Sequence, residues 1–231
     1  MPSREDLTAR QVIDLVCGED APGRHDLLVQ SIEEAAGAHL RIFKDDTASV
    51  ALFPPYDFAR FEELLGYSFP AEDVWLARAA LTTKAFGSES HGQSTAAQRL
   101  AWIGDAKICD LLCEALVAAF PAAAHGELCV ARTARISRRT LAGAARAVGI
   151  DRVLLLSRSY VGAHGPAARE TLSKGMLGEA FEAVLGAVSL SGGVEAVRRC
   201  YFRRVPLPTT FAKLQQETAE LMAPDPDAHG H

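Results

Sequence analysis

The sequence predicts an all-α fold, and three observations predict it. Alanine is abundant while aromatic residues make up only 7% of the 231 positions, a balance that suits helices better than sheet. From about Phe58 to Tyr201 apolar residues recur at helical spacing in one segment after another. Apolar–polar alternation is confined to a short stretch after residue 40. Apolar residues total 48%, enough to bury a sizeable core at this length.

The chain divides into an acidic N-terminal extension of open fold (1–58), a helical domain (59–205), and a C-terminal helix with a disordered tail (206–231). Residues 3–16 read as a short amphipathic helix: Ser3 caps it and Gly18 ends it. A second helix covers 26–36 and stops near Gly37. A hairpin is expected next, with Leu40 and Ile42 on one arm, Lys44-Asp45-Asp46 in the turn, and Val50-Ala51-Leu52 returning. Residues 61–69 and 74–82 open the helical domain, and 87–95 are Gly/Ser-rich and read as a loop. A long helix spans 96–120 and breaks at 121–125. The next helical stretch, 127–148, is rich in arginine. An apolar segment (150–156), a turn at 157–159 and a loop at 161–168 lead to a helix over 174–190. Ser191-Gly192-Gly193 ends it, and 194–201 and 210–222 form the last two helices.

Charge narrows the class of partner. The net charge is −5, yet residues 60–204 carry 18 Lys/Arg against 14 Asp/Glu, while residues 1–59 carry 5 against 11. A mildly basic centre with acidic flanks permits local phosphate contacts and argues against indiscriminate nucleic-acid binding. The five cysteines form no CxxC pair and read as reduced thiols in a cytosolic or organellar compartment. No apolar run reads as a membrane span, and no membrane association is expected.

Two blocks carry the chemistry. Gln98-Arg99-Leu100-Ala101-Trp102-Ile103-Gly104-Asp105 resembles the signature of the ribonuclease III endonuclease domain, Asn-Glu-Arg-Leu-Glu-Phe-Leu-Gly-Asp. Lys174-Gly-Met-Leu-Gly-Glu179-Ala-Phe-Glu182-Ala-Val-Leu-Gly-Ala resembles the family's second catalytic helix. The likeness covers roughly residues 58–204. It implies that two helices each present two carboxylates on one face, four residues apart on the first and three apart on the second. Such a cluster of hard oxygens suits Mg²⁺, which activates water against a phosphodiester. Carried over, the positions are Ala101, Asp105, Glu179 and Glu182. Asp105 and Glu182 match in type, and Glu179 adds a methylene to the family's aspartate. Ala101 offers no oxygen, and Gln98 replaces a neighbouring glutamate. Ion pairing of Asp105 and Glu182 with Arg99 or Lys174 is the structural alternative to a metal role.

The site therefore reads as degenerate, with no catalytic residues and no cofactor expected; Asp105, Glu179 and Glu182 are the residual metal candidates, for Mg²⁺ if the chain is active. Arg132, Arg135, Arg139 and Arg146, falling near one helical face, and Lys174 are candidate RNA contacts. Trp102, where the family places a phenylalanine that enters the partner subunit, marks a dimer interface or rests in the chain's own core. The resemblance implies an RNA partner, duplex or structured ribosomal RNA, and pairing as a homodimer or as a heterodimer with another ribonuclease III-like subunit. The first functional expectation is a non-catalytic subunit of an RNA–protein assembly, most concretely of a mitochondrial large ribosomal subunit. The second is a metal-dependent double-stranded-RNA endonuclease without a separate RNA-binding domain. Mitochondria are the expected compartment, with cytoplasm or plastid as alternatives.

Overall fold

The computed structural model describes residues 23–37, 40–44, 58–89 and 94–223. The expected helix over 3–16, the returning hairpin arm at 50–52 and the tail at 225–231 lie outside them. Among the described residues the architecture is helical throughout, with one isolated parallel bridge between Thr82 and Leu155.

In chain order the helices are α1 (Arg24–Ala36), α2 (Leu40–Lys44), α3 (Phe58–Leu65), α4 (Val74–Ala80), α5 (Lys84–Glu89), α6 (Ala96–Ala119), α7 (His125–Arg135), α8 (Arg138–Ala147), α9 (Ile150–Val153), α10 (Arg158–His164), α11 (Lys174–Arg204) and α12 (Phe211–Met222). The centre is the pair α6 and α11. α6 is alanine-rich and α11 carries several glycines, and the facing glycines of the two let the backbones touch. A Cβ on Gly104 would collide with the carbonyl oxygen of Glu182, and one on Gly186 with the carbonyl oxygen of Leu100. Only glycine fits at such an approach. α8 then lies across α11 at Gly178, where an added Cβ would stand 3.6 Å from Leu141 Cβ. α4 buries Trp75, Leu76, Ala77, Ala79 and Ala80 in the same core.

Several expectations need correction. Leu40–Lys44 is a helical turn, not a strand arm. Phe43 is fully buried and its carbonyl accepts from Arg78 Nη1 at 2.8 Å, while Lys44 pairs with Glu33 at 2.7 Å. Those anchors lie on α4 and α1, so tertiary packing overrides the local alternation. α1 also joins the core through Ile32, Ala35 and Ala36. The 127–148 stretch is two helices, because Ser137 stops one and caps the next, its Oγ accepting from Thr140 N at 3.3 Å. Residues read as the turn and loop after 157 form α10, capped by Ser157, and α5 occupies part of the expected 87–95 loop. The expected stop at 191–193 is present: α11 is two helices meeting at Gly193, which leaves helical geometry at φ 73°. As a whole α11 has the length and hydropathy of a membrane-spanning helix, contrary to expectation, but 61% of that apolar window is buried inside the protein, so its apolar character serves the core.

Candidate functional site

The α6–α11 crossing decides which side chains meet. Gly104 precedes Asp105, and its close neighbour across the crossing is the backbone of Glu182 itself. The two carboxylate-bearing turns are therefore brought face to face by the same contact that sets the helix spacing. Asp105 and Glu182 are half-buried, and Glu179, one turn before Glu182, is exposed. Burial pushes the Glu182 carboxyl up to about 7, and the neighbouring charges of Asp105 and Glu179 push the same way. Arg138, delivered by α8, opposes the rise. The three acids thus share one electrostatic site, with too little positive charge to balance it.

Ala101 sits on the same face of α6 and is 5% exposed, so its methyl closes the position where the resemblance places a carboxylate. Gln98, one turn earlier, keeps its Oε1 buried without a hydrogen-bond partner. In kind, these oxygens are ones Mg²⁺ accepts, and a cation would relieve the charge that raises Glu182. In number they fall short: among the described residues, no three Asp, Glu, His or Cys side chains already surround a point fit for an ion. An ion held here would rely on Asp105, Glu179 and Glu182 and complete its shell with water. The structural alternative finds no support at Arg99, whose guanidinium turns away to donate to Ser31 Oγ at 2.6 Å.

The expected arginine stripe does not form. Arg135 is 1% exposed, and its Nη2 donates to Glu217 of α12 at 3.0 Å. Burial lowers its pKa, and Glu217 opposes that shift. It is a buried structural cation, not a surface contact. Arg132 is half-buried, with Nη1 3.6 Å from Cys113 Sγ. Arg139 and Arg146 are exposed on α8, where Arg146 Nη2 donates to Leu172 O at 3.3 Å. Lys174 opens α11, half-buried. The break at Ser137 sends the two arginine pairs in different directions. Arg138, facing Glu182, was absent from the expected contacts; its signal was its place in the first turn of a capped helix.

Trp102 is 80% exposed, so it does not rest in the chain's own core. Ala106, Cys109, Cys113 and Val117 follow it along one face of α6, with Ala106 and Val117 exposed. Cys109, Cys113, Cys129 and Cys200 are all free thiols.

The pattern that defines the ribonuclease-III-like family matches residues 73–206. Ribonuclease 3 of Cereibacter sphaeroides is 35% identical over 147 residues, 64% of this chain and 60% of that protein. Ribonuclease 3 of Oleidesulfovibrio alaskensis is 34% identical over 139 residues, 60% of this chain and 58% of that protein. The chain thus spans about 60% of the length of these curated relatives. Among solved structures, the nuclease domain of ribonuclease III from Campylobacter jejuni superposes with a TM-score of 0.55 at 26% identity, over 65% of this chain and all of that one; that structure concerns a region involved in dimer formation. With more than half of its residues inside the family pattern and its two carboxylate helices crossed glycine to glycine, the chain belongs to the ribonuclease-III-like family.

Proposed function

We propose that this chain acts on double-stranded RNA as a metal-dependent endonuclease of the ribonuclease III type, working slowly because Ala101 removes one ligand. The observation that carries this reading is the Glu182 carboxyl, held near pKa 7 beside Asp105 and Glu179. Like charges crowded at a half-buried helix crossing cost stability unless a cation joins them. A divalent ion bound there would activate water and neutralise charge on the phosphate. Arg138 lies close enough to temper Glu182, and Arg139 and Arg146 on the same helix are exposed towards solvent, placed to meet RNA phosphates. The exposed Trp102 and the apolar face that follows it on α6 support pairing with a second subunit, a copy of this chain or another ribonuclease III-like protein.

One observation favours a second reading. The buried methyl of Ala101 and the neutral Gln98 remove charge from the site. A chain that keeps the frame and loses the ligands suits a non-catalytic subunit of an RNA–protein assembly, with the mitochondrial large ribosomal subunit as its concrete form.

Cleavage of a long duplex RNA in Mg²⁺ or Mn²⁺ separates them. The endonuclease reading expects slow, metal-dependent products that fall about 100-fold or more in Glu182→Gln. It expects about a tenfold gain in Ala101→Glu, provided thermal melts show that variant folded. Products in neither the wild-type chain nor a folded Ala101→Glu would favour the non-catalytic subunit.

A further inference from the structure

Arg138 stands where helix electrostatics disfavours it. It opens α8, with Arg139 next, and the first turn of that helix holds no acidic residue. The amino end of a helix carries partial positive charge, so carboxylates are favoured there and arginines are not. The place is nonetheless firmly set. Ser137 Oγ accepts from Thr140 N at 3.3 Å, and Thr140 Oγ1 donates to Ala134 O at 2.8 Å. It is also close to the acids. A Cβ added at Gly178 of α11 would stand 3.8 Å from the Arg138 carbonyl oxygen and 3.9 Å from its Cα. Gly178 and Glu182 lie four residues apart on one helical face, so the Arg138 side chain starts about one helical turn from Glu182. Among the charges acting on Glu182, Arg138 is the positive one, and Arg139 is not among them. The link is charge to charge, without a hydrogen bond, and Arg138 is exposed. A pair of that kind is weak in water, so a cation of higher charge can displace it.

We propose that Arg138 is a built-in counter-charge of the acidic crossing, one that competes with a divalent cation for Glu182 and so sets how readily the site fills. The proposal rests on the reading that Asp105, Glu179 and Glu182 hold such an ion, and deepens it by naming what regulates its occupancy. An arginine deprives the start of α8 of a favourable charge; the acids opposite supply the compensation. Repulsion between the guanidinium and an incoming ion adds to the competition. Arg138 touches no reacting atom in this role. It acts through Glu182 and is a positioning residue.

The test titrates Mn²⁺ into the full chain at low ionic strength and reads the free ion by electron paramagnetic resonance. Wild type is compared with Arg138→Lys, Arg138→Gln and Arg138→Glu, and with Arg139→Gln as the neighbouring control. Arg138→Lys should bind Mn²⁺ within about twofold of wild type, Arg138→Gln about threefold more tightly, and Arg138→Glu more tightly still. The differences should shrink in about 0.5 M salt. Arg139→Gln should change affinity less than Arg138→Gln does. Melting curves establish that the variants are folded; removing a positive charge from the start of α8 favours that helix. Equal affinity across the Arg138 series, weaker binding in Arg138→Gln, or equal tightening in Arg139→Gln overturns the counter-charge and leaves the metal reading standing. Mn²⁺ bound by none of these chains overturns both.

Discussion

Two charged groups packed between helices, Arg135 buried and Glu182 half-buried, have opposite surroundings. Arg135, at the seam of α7 and α12, meets a counter-charge: Glu217 accepts from its Nη2 at 3.0 Å, and Gln215 donates to Glu127 at 2.9 Å nearby. Glu182, at the crossing of α6 and α11, meets Asp105 and Glu179, two more negative groups, with Arg138 as the one opposing charge. The first arrangement balances its charge and joins two helices, although Nε and Nη1 of Arg135 stay buried without a partner. The second is left under electrostatic cost, which the proposed divalent cation would relieve. Position in a buried helix face does not separate the two; the sign of the neighbours does.

The contrast can be broken at three points. The largest effect belongs to the frame under the acidic site. Gly104→Ala drives a Cβ against the Glu182 carbonyl and should cost about 3 kcal/mol, lowering Tm by roughly 6–12 °C. A melt within a degree or two of wild type would mean the helices part freely and the acids are not held together. Next comes the α7–α12 seam. Glu217→Ala leaves Arg135 buried without its partner and should cost about 2 kcal/mol, discounted because Glu217 remains one-third exposed. Arg135→Met should cost less than Glu217→Ala in denaturant titrations; the reverse order would deny that Arg135 is the group needing compensation.

The smallest effect is a gain. The Glu182 carboxyl is raised from 4.5 to about 7 in the folded chain. Between those values the folded state holds a proton that the unfolded state has lost. The favourable contribution of protonated Glu182 is complete below about pH 4.5 and is lost as pH rises through 7. Glu182→Gln should therefore be more stable than wild type by about 1 kcal/mol at pH 8, after allowance for solvent screening, with the difference shrinking towards pH 5. A variant equally destabilised at both pH values would place Glu182 among ordinary packing residues.

The sequence made the acidic site legible because its information is periodic. Asp105 falls on the face of Ala101, and Glu182 lies one turn from Glu179, so helix geometry alone places each pair. The glycines that bring the two helices into contact, Gly104 and Gly186, stood within the same two motifs. Arg135 was not legible. Its burial follows from the break at Ser137 and from a helix more than 70 residues away in sequence, and neither leaves a local trace. Leu40–Lys44 failed as a strand for a similar reason, since Phe43 is drawn into a helical turn by Arg78. α10 was hidden because Gly162, Gly165 and Pro166 read locally as a loop, whereas Ser157 and the ring stacking of Tyr160 on His164 at 4.2 Å hold one helical segment. The family pattern reached the site through spacing; the long-range partners had no spacing to read.

The central claim is that Asp105, Glu179 and Glu182 form one charge-coupled site awaiting a cation, and carboxyl carbon NMR titration of the full chain tests it most directly. The account predicts that Glu182 titrates near 7 without metal and that millimolar Mg²⁺ shifts its titration to lower pH. An ordinary titration near 4.5, unmoved by Mg²⁺, would contradict it.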